Sequence, residues 1–207
     1  METDRKWVVV RIDGKIAAIS TDYRKLAEII GYISNPSSGR KNVPPLIFNE
    51  ISAVTVDFEE VWELRQRIRW EDLILFGTDF QKKVWRRLFD LTHSHDEPHA
   101  SEDGKVSNRL ISYSDFAGLC DNRAGVRAVA HAIGLNPVSV VIPCHLVVPK
   151  ETIDKINDIR KKAEATIFKG DDLCLSSILN DNSIEFGEYG LGRRLKRKLI
   201  NLEHHSL

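Results

Sequence analysis

Cys144 and His145 stand side by side directly after Pro143. A thiol next to an imidazole can perform nucleophilic chemistry, since a nearby base can generate the thiolate. Four of the five preceding residues, 138–142, are apolar and β-branched, which predicts a short buried strand that ends at the proline. Most buried cysteines are nevertheless inert. The pair is therefore a candidate reaction centre at the end of a short active-site strand.

The composition is that of a globular protein of one large domain or two small ones. The chain has 207 residues, 42% of them hydrophobic, and a formal net charge of zero. Overall charge therefore gives no sign of a strongly basic nucleic-acid-binding protein. Residues 193–198 form a local basic run, which is either a solvated helix face or a phosphate-binding patch.

The cysteine pattern and the lack of long apolar stretches indicate where the protein works. The three cysteines, Cys120, Cys144 and Cys174, form neither a disulfide framework nor a C-x-x-C pair. Such usage favours a reducing cytoplasm. No stretch has the length and apolarity of a membrane span, and no signal pattern opens the chain. We expect a cytoplasmic protein with no membrane partner.

Residues 1–73 are predicted to form a small α/β domain with a structural role. Two β-prone runs, 7–12 and 15–19, flank Asp13-Gly14, a strong hairpin signal. Thr21 or Asp22 can cap a helix that follows, and residues 51–58 predict another strand.

Residues 74–207 are predicted to form a mostly α-helical domain. Thr78 and Gln81 have the spacing of a capping box, and Ser112 can cap a second helix. A further helix is expected from about Arg123 to Ile133. The helix capped by Ser112 and the helix from about Arg123 to Ile133 are joined by a tight turn, which predicts a helix-turn-helix. Many helix pairs of this form never contact DNA.

Residues 92–108 are polar and predict a loop that contains His93, His95 and His99. A metal site is one interpretation of these histidines. No cysteine or defined carboxylate geometry supports it, so a solvated loop is the favoured one.

Six motifs in one order resemble the O6-alkylguanine-DNA alkyltransferases, also called methylated-DNA–protein-cysteine methyltransferases. The resemblance covers about residues 76–148 and 186–203. The motifs are Gly77-Thr78-x-Phe80-Gln81-x-x-Val84-Trp85, Ser112-Tyr113, Val126-Arg127-Ala128-Val129, Asn136-Pro137, Pro143-Cys144-His145, and Tyr189 with Leu202-Glu203.

The resemblance implies a catalytic role for five residues. Cys144 would take an alkyl group irreversibly from O6-alkylguanine, or from O4-alkylthymine, in a single turnover. His145 would draw the thiol proton through a water, and Glu203 would orient and charge His145. Asn136 would tie the turn before the active-site strand, and the Tyr113 hydroxyl would assist the leaving guanine. No cofactor or metal is implied.

The resemblance also implies contacts with double-stranded DNA and with a flipped-out base. The target oxygen is unreachable inside a duplex, so the nucleotide must leave the stack at a cost of a few kcal/mol. Arg127 would fill the gap, and the carbonyls of Cys144 and Val147 would line the base pocket. The remaining predicted contacts are Ser112, Gly125, Ala128, Tyr189 and Gly190.

Three features depart from the family. Leu146 stands where the family usually has arginine, the loop over 92–108 is longer, and residues 149–185 form an insertion. The insertion contains a predicted helix with Ile153, Ile156, Ala163 and Ile167 on one face. It either covers the site, extends the DNA contact, or packs away from DNA.

The predicted function is DNA repair by a monomer that accepts one alkyl group from damaged duplex DNA. The principal alternative is an alkyltransferase-like sensor that binds damaged guanine without transfer, although such proteins lack the cysteine. A thiol hydrolase is disfavoured because adjacent residues on a strand point to opposite sides. A helix-turn-helix regulator would need no reactive thiol.

Overall fold

A computed structural model describes residues 6–34, 48–93, 110–166, 179 and 181–205. The chain divides by its contacts into two compact units: Met1–His93 with Leu135–Cys144, and Ser94–Gly134 with His145–Leu207. A small sheet lies in the N-terminal region and most of the later elements are helices, as predicted for the general layout. A division by contacts does not show which segments fold independently. The predicted domains, residues 1–73 and 74–207, therefore stay a prediction.

The sheet of the first unit has three antiparallel strands in the order β2-β1-β3. They are β1 (Trp7–Ile12), β2 (Lys15–Ser20) and β3 (Ile51–Val56). Asp13 and Gly14 both have positive φ, 47° and 78°, as a type I′ hairpin turn requires. The predicted hairpin is therefore confirmed. The third strand ends two residues earlier than predicted, because Asp57 is the N-cap of the next helix, which begins at Phe58.

The α-helices among the described residues of the first unit are α1 (Tyr23–Ser34), α2 (Phe58–Arg67) and α3 (Asp79–His93). Asp22 caps α1, since its Oδ1 accepts from the Arg24 amide at 3.0 Å. The predicted capping box of α3 is confirmed, with the Gln81 amide donating to Thr78 Oγ1 and the Thr78 amide to Gln81 Oε1. Buried apolar residues on these elements form the core around β1 and β2.

In the second unit, the described residues form a two-stranded parallel sheet and, among their helices, the four α-helices named next. Its elements are β4 (Ile111–Ser112), α4 (Tyr113–Leu119), α5 (Val126–Gly134), β5 (Val147–Val148), α6 (Lys150–Thr166) and α7 (Arg193–His205). Ser112 caps α4 as predicted, with Oγ accepting from the Asp115 amide at 3.1 Å. Residues Arg123–Gly125, predicted as helix, form a separate 3-10 turn before α5.

The insertion begins with the predicted helix, which is α6, and buries Ile156 and Thr152. Ile167, predicted to share its apolar face, lies outside the described residues, as does most of the predicted loop over 92–108. Within the described part of the chain, no helix combines the length and apolarity of a membrane span.

The predicted active-site strand over residues 138–142 is wrong, because this segment forms a buried tight turn. Val138 and Ser139 make only isolated bridges, and the Ile142 amide donates to the Val138 carbonyl at 3.0 Å. Val140 has φ of 74°, a conformation that β-branched residues rarely adopt. Its neighbour β2 holds the turn in place, since the Ile19 amide donates to Pro137 and the Ser139 amide to Ile19.

Candidate active site

Cys144 begins a 3-10 turn, Cys144–Leu146, directly after the buried turn. Its side chain is nearly enclosed, with 9% of the residue exposed. The side-chain amide of Asn136 donates to Cys144 Sγ at 3.1 Å and to the Ile142 carbonyl at 2.8 Å. An N–H donor beside the sulfur stabilises negative charge there. The structure thus places an enclosed thiol beside a hydrogen-bond donor.

Asn136 supplies the hydrogen bonds that a neighbouring strand would otherwise provide to this turn. Besides its two donated bonds, its Oδ1 accepts from the Val138 amide at 3.0 Å. All of these groups are buried, and a buried polar group without a partner is costly. The side chain therefore determines the path of the chain from residue 136 to the thiol.

We expect Asn136→Ala to lower the free energy of unfolding by about 2–4 kcal/mol, since it orphans a buried amide and a buried carbonyl. Chemical denaturation measures the change. Asn182→Ala, at an exposed position of the second unit, serves as the control and is expected to change stability by less than about 0.5 kcal/mol. Equal stability of both variants would contradict this role for Asn136.

His145 and Glu203 form a buried pair within the second unit. His145 Nε2 lies 2.8 Å from Glu203 Oε1, and the two residues are 0% and 1% exposed. An ionised carboxylate only accepts hydrogen bonds, so Nε2 carries the proton and Nδ1 of the neutral ring carries the lone pair. Glu203 thereby fixes the tautomer in which Nδ1 can act as a base.

Tyr189 contacts His145 of this pair, and Tyr113 lies at the start of α4 in the same unit. The Tyr189 ring meets His145 edge-to-face, with ring centroids 6.5 Å apart and an interplanar angle of 87°. Tyr113 is the first residue of α4 and follows Ser112, which pairs with Val148 of β5. Because β5 follows the Cys144–Leu146 turn immediately, the β4–β5 pairing brings the start of α4 towards the same end of the unit.

The loop before α7 carries Tyr189 and Gly190 and is held at both ends. Gly187 has φ of 78°, and a Cβ there would lie 2.9 Å from the Pro149 ring, so glycine is required. Arg193 Nε donates to the Glu188 carboxylate at 2.9 Å. This hydrogen bond, assisted by the charge of Arg193, lowers the pKa of the Glu188 carboxyl.

The remaining predicted DNA contacts lie on or before α5. Arg127 and Ala128 are exposed near the start of that helix. Gly125 ends the 3-10 turn, and a Cβ on it would lie 2.3 Å from the Asn122 side chain, which would have to move to accommodate a larger residue. These residues belong to a different element from the His145–Glu203 pair.

The structure also places Leu146, which departs from the family pattern, and His93, one of the three histidines considered as metal ligands. Leu146 is fully buried, where a charged arginine would require a buried partner. His93 lies in α3, with its ring Nδ1 3.0 Å from the Phe89 carbonyl oxygen and its Nε2 2.9 Å from the Arg65 carbonyl oxygen. His95 and His99 lie outside the described residues. The described ranges contain no group of three or more residues suited to hold a metal ion.

Sequence reasoning missed Lys196, which is 1% exposed on α7. Hydrophobicity alone would place Leu195, Leu199 and Leu202 on the inward face of this helix. The buried residues are instead Lys196, Leu199, Ile200 and Glu203, while Leu195 and Leu202 are half-buried. The spacing of i, i+3, i+4 and i+7 from Lys196 to Glu203 was the signal that could have revealed this face.

Comparison with known proteins confirms the resemblance. Residues 107–165 match the model of the 6-O-methylguanine DNA methyltransferase DNA-binding domain. Over 79 residues, 38% of the chain, it is 38% identical to a probable methylated-DNA–protein-cysteine methyltransferase of Acanthamoeba polyphaga mimivirus, covering 44% of that protein. Over 74 residues, 36% of the chain, it is 34% identical to the methylated-DNA–protein-cysteine methyltransferase of Saccharomyces cerevisiae, covering 32% of it. The matches thus span less than half of these relatives.

A solved structure of an O6-methylguanine-DNA methyltransferase from Pyrococcus kodakaraensis aligns with 97% of this chain and 93% of its own length. Its sequence identity is 20% and its TM-score is 0.47. The site described above rests on the geometry of this chain and not on that alignment.

Proposed function

We propose that this chain, whose residues 107–165 carry the DNA-binding domain of the 6-O-methylguanine DNA methyltransferase family, repairs DNA by accepting an alkyl group on Cys144. The observation that carries the proposal is the buried His145–Glu203 pair, whose histidine directly follows an enclosed cysteine in the sequence. Such a pair supplies the base that thiol chemistry requires. The substrate is O6-alkylguanine, or O4-alkylthymine, in duplex DNA.

The chemical step is a displacement at the alkyl carbon. The thiol proton passes to His145, whose imidazolium is stabilised by Glu203, and the Cys144 sulfur forms a bond to the carbon. The bond from that carbon to O6 breaks, and its electron pair goes to the guanine ring. Tyr113 donates a hydrogen bond to the departing ring, which takes up one proton from solvent in place of the alkyl group, and the His145 imidazolium returns its proton to solvent. The product thioether is not hydrolysed, so each chain acts once.

The helix-turn-helix of α4 and α5 is the DNA-binding element in this proposal. Gly125 and Ala128 leave little side-chain volume at the start of α5, which allows close approach to a groove, and Arg127 projects from it. Arg127 fills the stack after the base leaves, while Ser112, Tyr189 and Gly190 contact the extruded nucleotide. The reaction needs one chain and one base, which fits a monomer.

Single-turnover transfer tests the proposal. Duplex DNA carrying one labelled O6-methylguanine is mixed with the protein, and label on protein is followed against time. We expect the signal to saturate at one methyl group per chain. Label released into solution or repeated turnover would contradict the mechanism, and tight binding without transfer would indicate a damage sensor.

We expect Arg127→Ala to slow transfer from duplex DNA about tenfold, while transfer from a single strand changes little, since only the duplex must be unstacked. The measurement is the single-turnover rate constant with each substrate. Arg87→Ala, at an exposed arginine of α3, is the control. An equal loss with both substrates would show that Arg127 does not act in base extrusion.

A further inference from the structure

Lys196 is a buried lysine that the proposed chemistry leaves unused. It is 1% exposed, and Leu199 and Ile200, which share its face of α7, are fully buried. A buried ammonium is costly unless its protons are donated to hydrogen-bond acceptors. We therefore expect hydrogen-bond acceptors around the Lys196 ammonium.

The ammonium connects three segments of the second unit. Lys196 Nζ donates to the Val147 carbonyl at 2.8 Å and to the Glu188 carbonyl at 3.4 Å. Val147 is the first residue of β5 and the second after His145. Glu188 belongs to the loop that carries Tyr189 and Gly190. One side chain thus ties α7 to both the strand and the loop.

Helix α7 consequently holds the segment after the thiol at two points, two helical turns apart. Glu203 binds His145, and Lys196 binds Val147. The same ammonium holds the loop whose Tyr189 ring meets His145 edge-to-face. A shift at Lys196 would therefore move both the base and the loop beside it.

We propose that Lys196 is a positioning residue for alkyl transfer, which fixes β5 and the 187–190 loop relative to the His145–Glu203 pair. This inference rests on the proposed function. Lys196 does not touch the reacting atoms. It acts by holding two main-chain carbonyls, and through them the imidazole and the Tyr189–Gly190 loop.

A positioning role and a purely structural role predict different kinetics. In a single-turnover reaction, the final amount of methylated protein counts the folded, competent molecules, whereas the rate constant reports the geometry of each one. Methionine has similar length and no charge, and apolar replacement of buried charges is often tolerated by folds. Lys196→Met should therefore keep the full final amount and lose rate.

The experiment measures both quantities for Lys196→Met with duplex DNA containing O6-methylguanine at saturation, together with affinity for undamaged DNA. We expect a rate constant lowered about tenfold, the effect of losing one positioned hydrogen bond, with final amount and affinity unchanged. Lys196→Arg, which keeps charge and donors, should recover part of the rate.

Lys155→Met is the matched control, because Lys155 Nζ also donates to a main-chain carbonyl, that of Ser183, but at an exposed position of α6. It should leave the rate constant unchanged. An unaltered rate constant in Lys196→Met, or a fall in the final amount alone, would overturn the inference. If Lys196→Met does not fold, Lys196→Gln is measured in the same way, and an unaltered rate constant there has the same meaning. Absence of transfer by the unsubstituted protein would instead overturn the proposed function.

Discussion

Replacing Cys144 by serine is expected to abolish alkyl transfer while leaving DNA binding measurable. A hydroxyl is a far weaker nucleophile than a thiolate at neutral pH, and the His145–Glu203 pair cannot compensate for that difference. Serine is close in size to cysteine and can still accept the hydrogen bond from Asn136, so the buried turn should persist. The measurement is labelled methyl on the protein after incubation with alkylated duplex DNA, beside a binding titration with the same DNA.

Cys120→Ala provides the matched control, because Cys120 is a second buried cysteine. Cys120 lies at the end of α4, and its replacement should leave transfer intact, at a cost in stability typical of a small core truncation. Transfer that survives in Cys144→Ser, or disappears in Cys120→Ala with the fold intact, would contradict the assignment of the nucleophile.

Replacing Glu203 by glutamine is expected to slow transfer by about 10²-fold or more, the scale of a positioned acid–base group. The amide keeps the shape of the side chain and can still accept from His145 Nε2. It carries no negative charge, however, and cannot stabilise the imidazolium that forms when His145 takes the thiol proton. Single-turnover rate constants at saturating DNA measure the effect.

Affinity for undamaged duplex DNA distinguishes loss of chemistry from misfolding in this variant. It should stay within about twofold, since a fully buried carboxylate makes no phosphate contact. Glu151→Gln, at an exposed glutamate of α6, is the control and should retain the original rate. A fall in affinity as large as the fall in rate would show that Glu203 supports the fold rather than the chemistry.

Local patterns predicted the elements whose determinants are local. Asp13-Gly14 specifies its own turn through positive φ, and Thr78 with Gln81 specifies the start of α3 through two reciprocal hydrogen bonds. In both cases the signal lies within the turn or the first helical turn itself. Such signals made the hairpin and the beginnings of α1, α3 and α4 predictable from sequence alone.

The turn before Cys144 was mispredicted because its β-branched residues indicate burial without fixing the backbone. The backbone is determined instead by Asn136, which satisfies the groups that a strand partner would, and by the edge of β2 more than a hundred residues earlier in the chain. Hydrogen bonds of this kind have no periodicity that a sequence pattern could show. The resemblance to the alkyltransferases predicted that Asn136 ties this turn, but it did not predict the hydrogen bond from Asn136 to the Cys144 thiol.

The pairing of His145 with Glu203 followed from resemblance, since 58 residues separate the two and no local pattern joins them. Once Glu203 is placed inward, helical geometry also places Lys196 inward, seven residues before it. The three leucines 195, 199 and 202 suggested a different face, because hydrophobicity alone disfavours a buried lysine. The hydrogen bonds to two carbonyls explain why the lysine is nevertheless buried.

The most direct test of Cys144 as the alkyl acceptor is peptide mass analysis after one turnover. The protein is incubated with duplex DNA carrying a single O6-methylguanine, digested, and each cysteine-containing peptide is weighed. The mechanism predicts that the peptide bearing Cys144 gains the mass of one methyl group in place of a proton, and that no other peptide changes. A methyl group on the peptide bearing Cys120 or Cys174, or on no peptide, would contradict it.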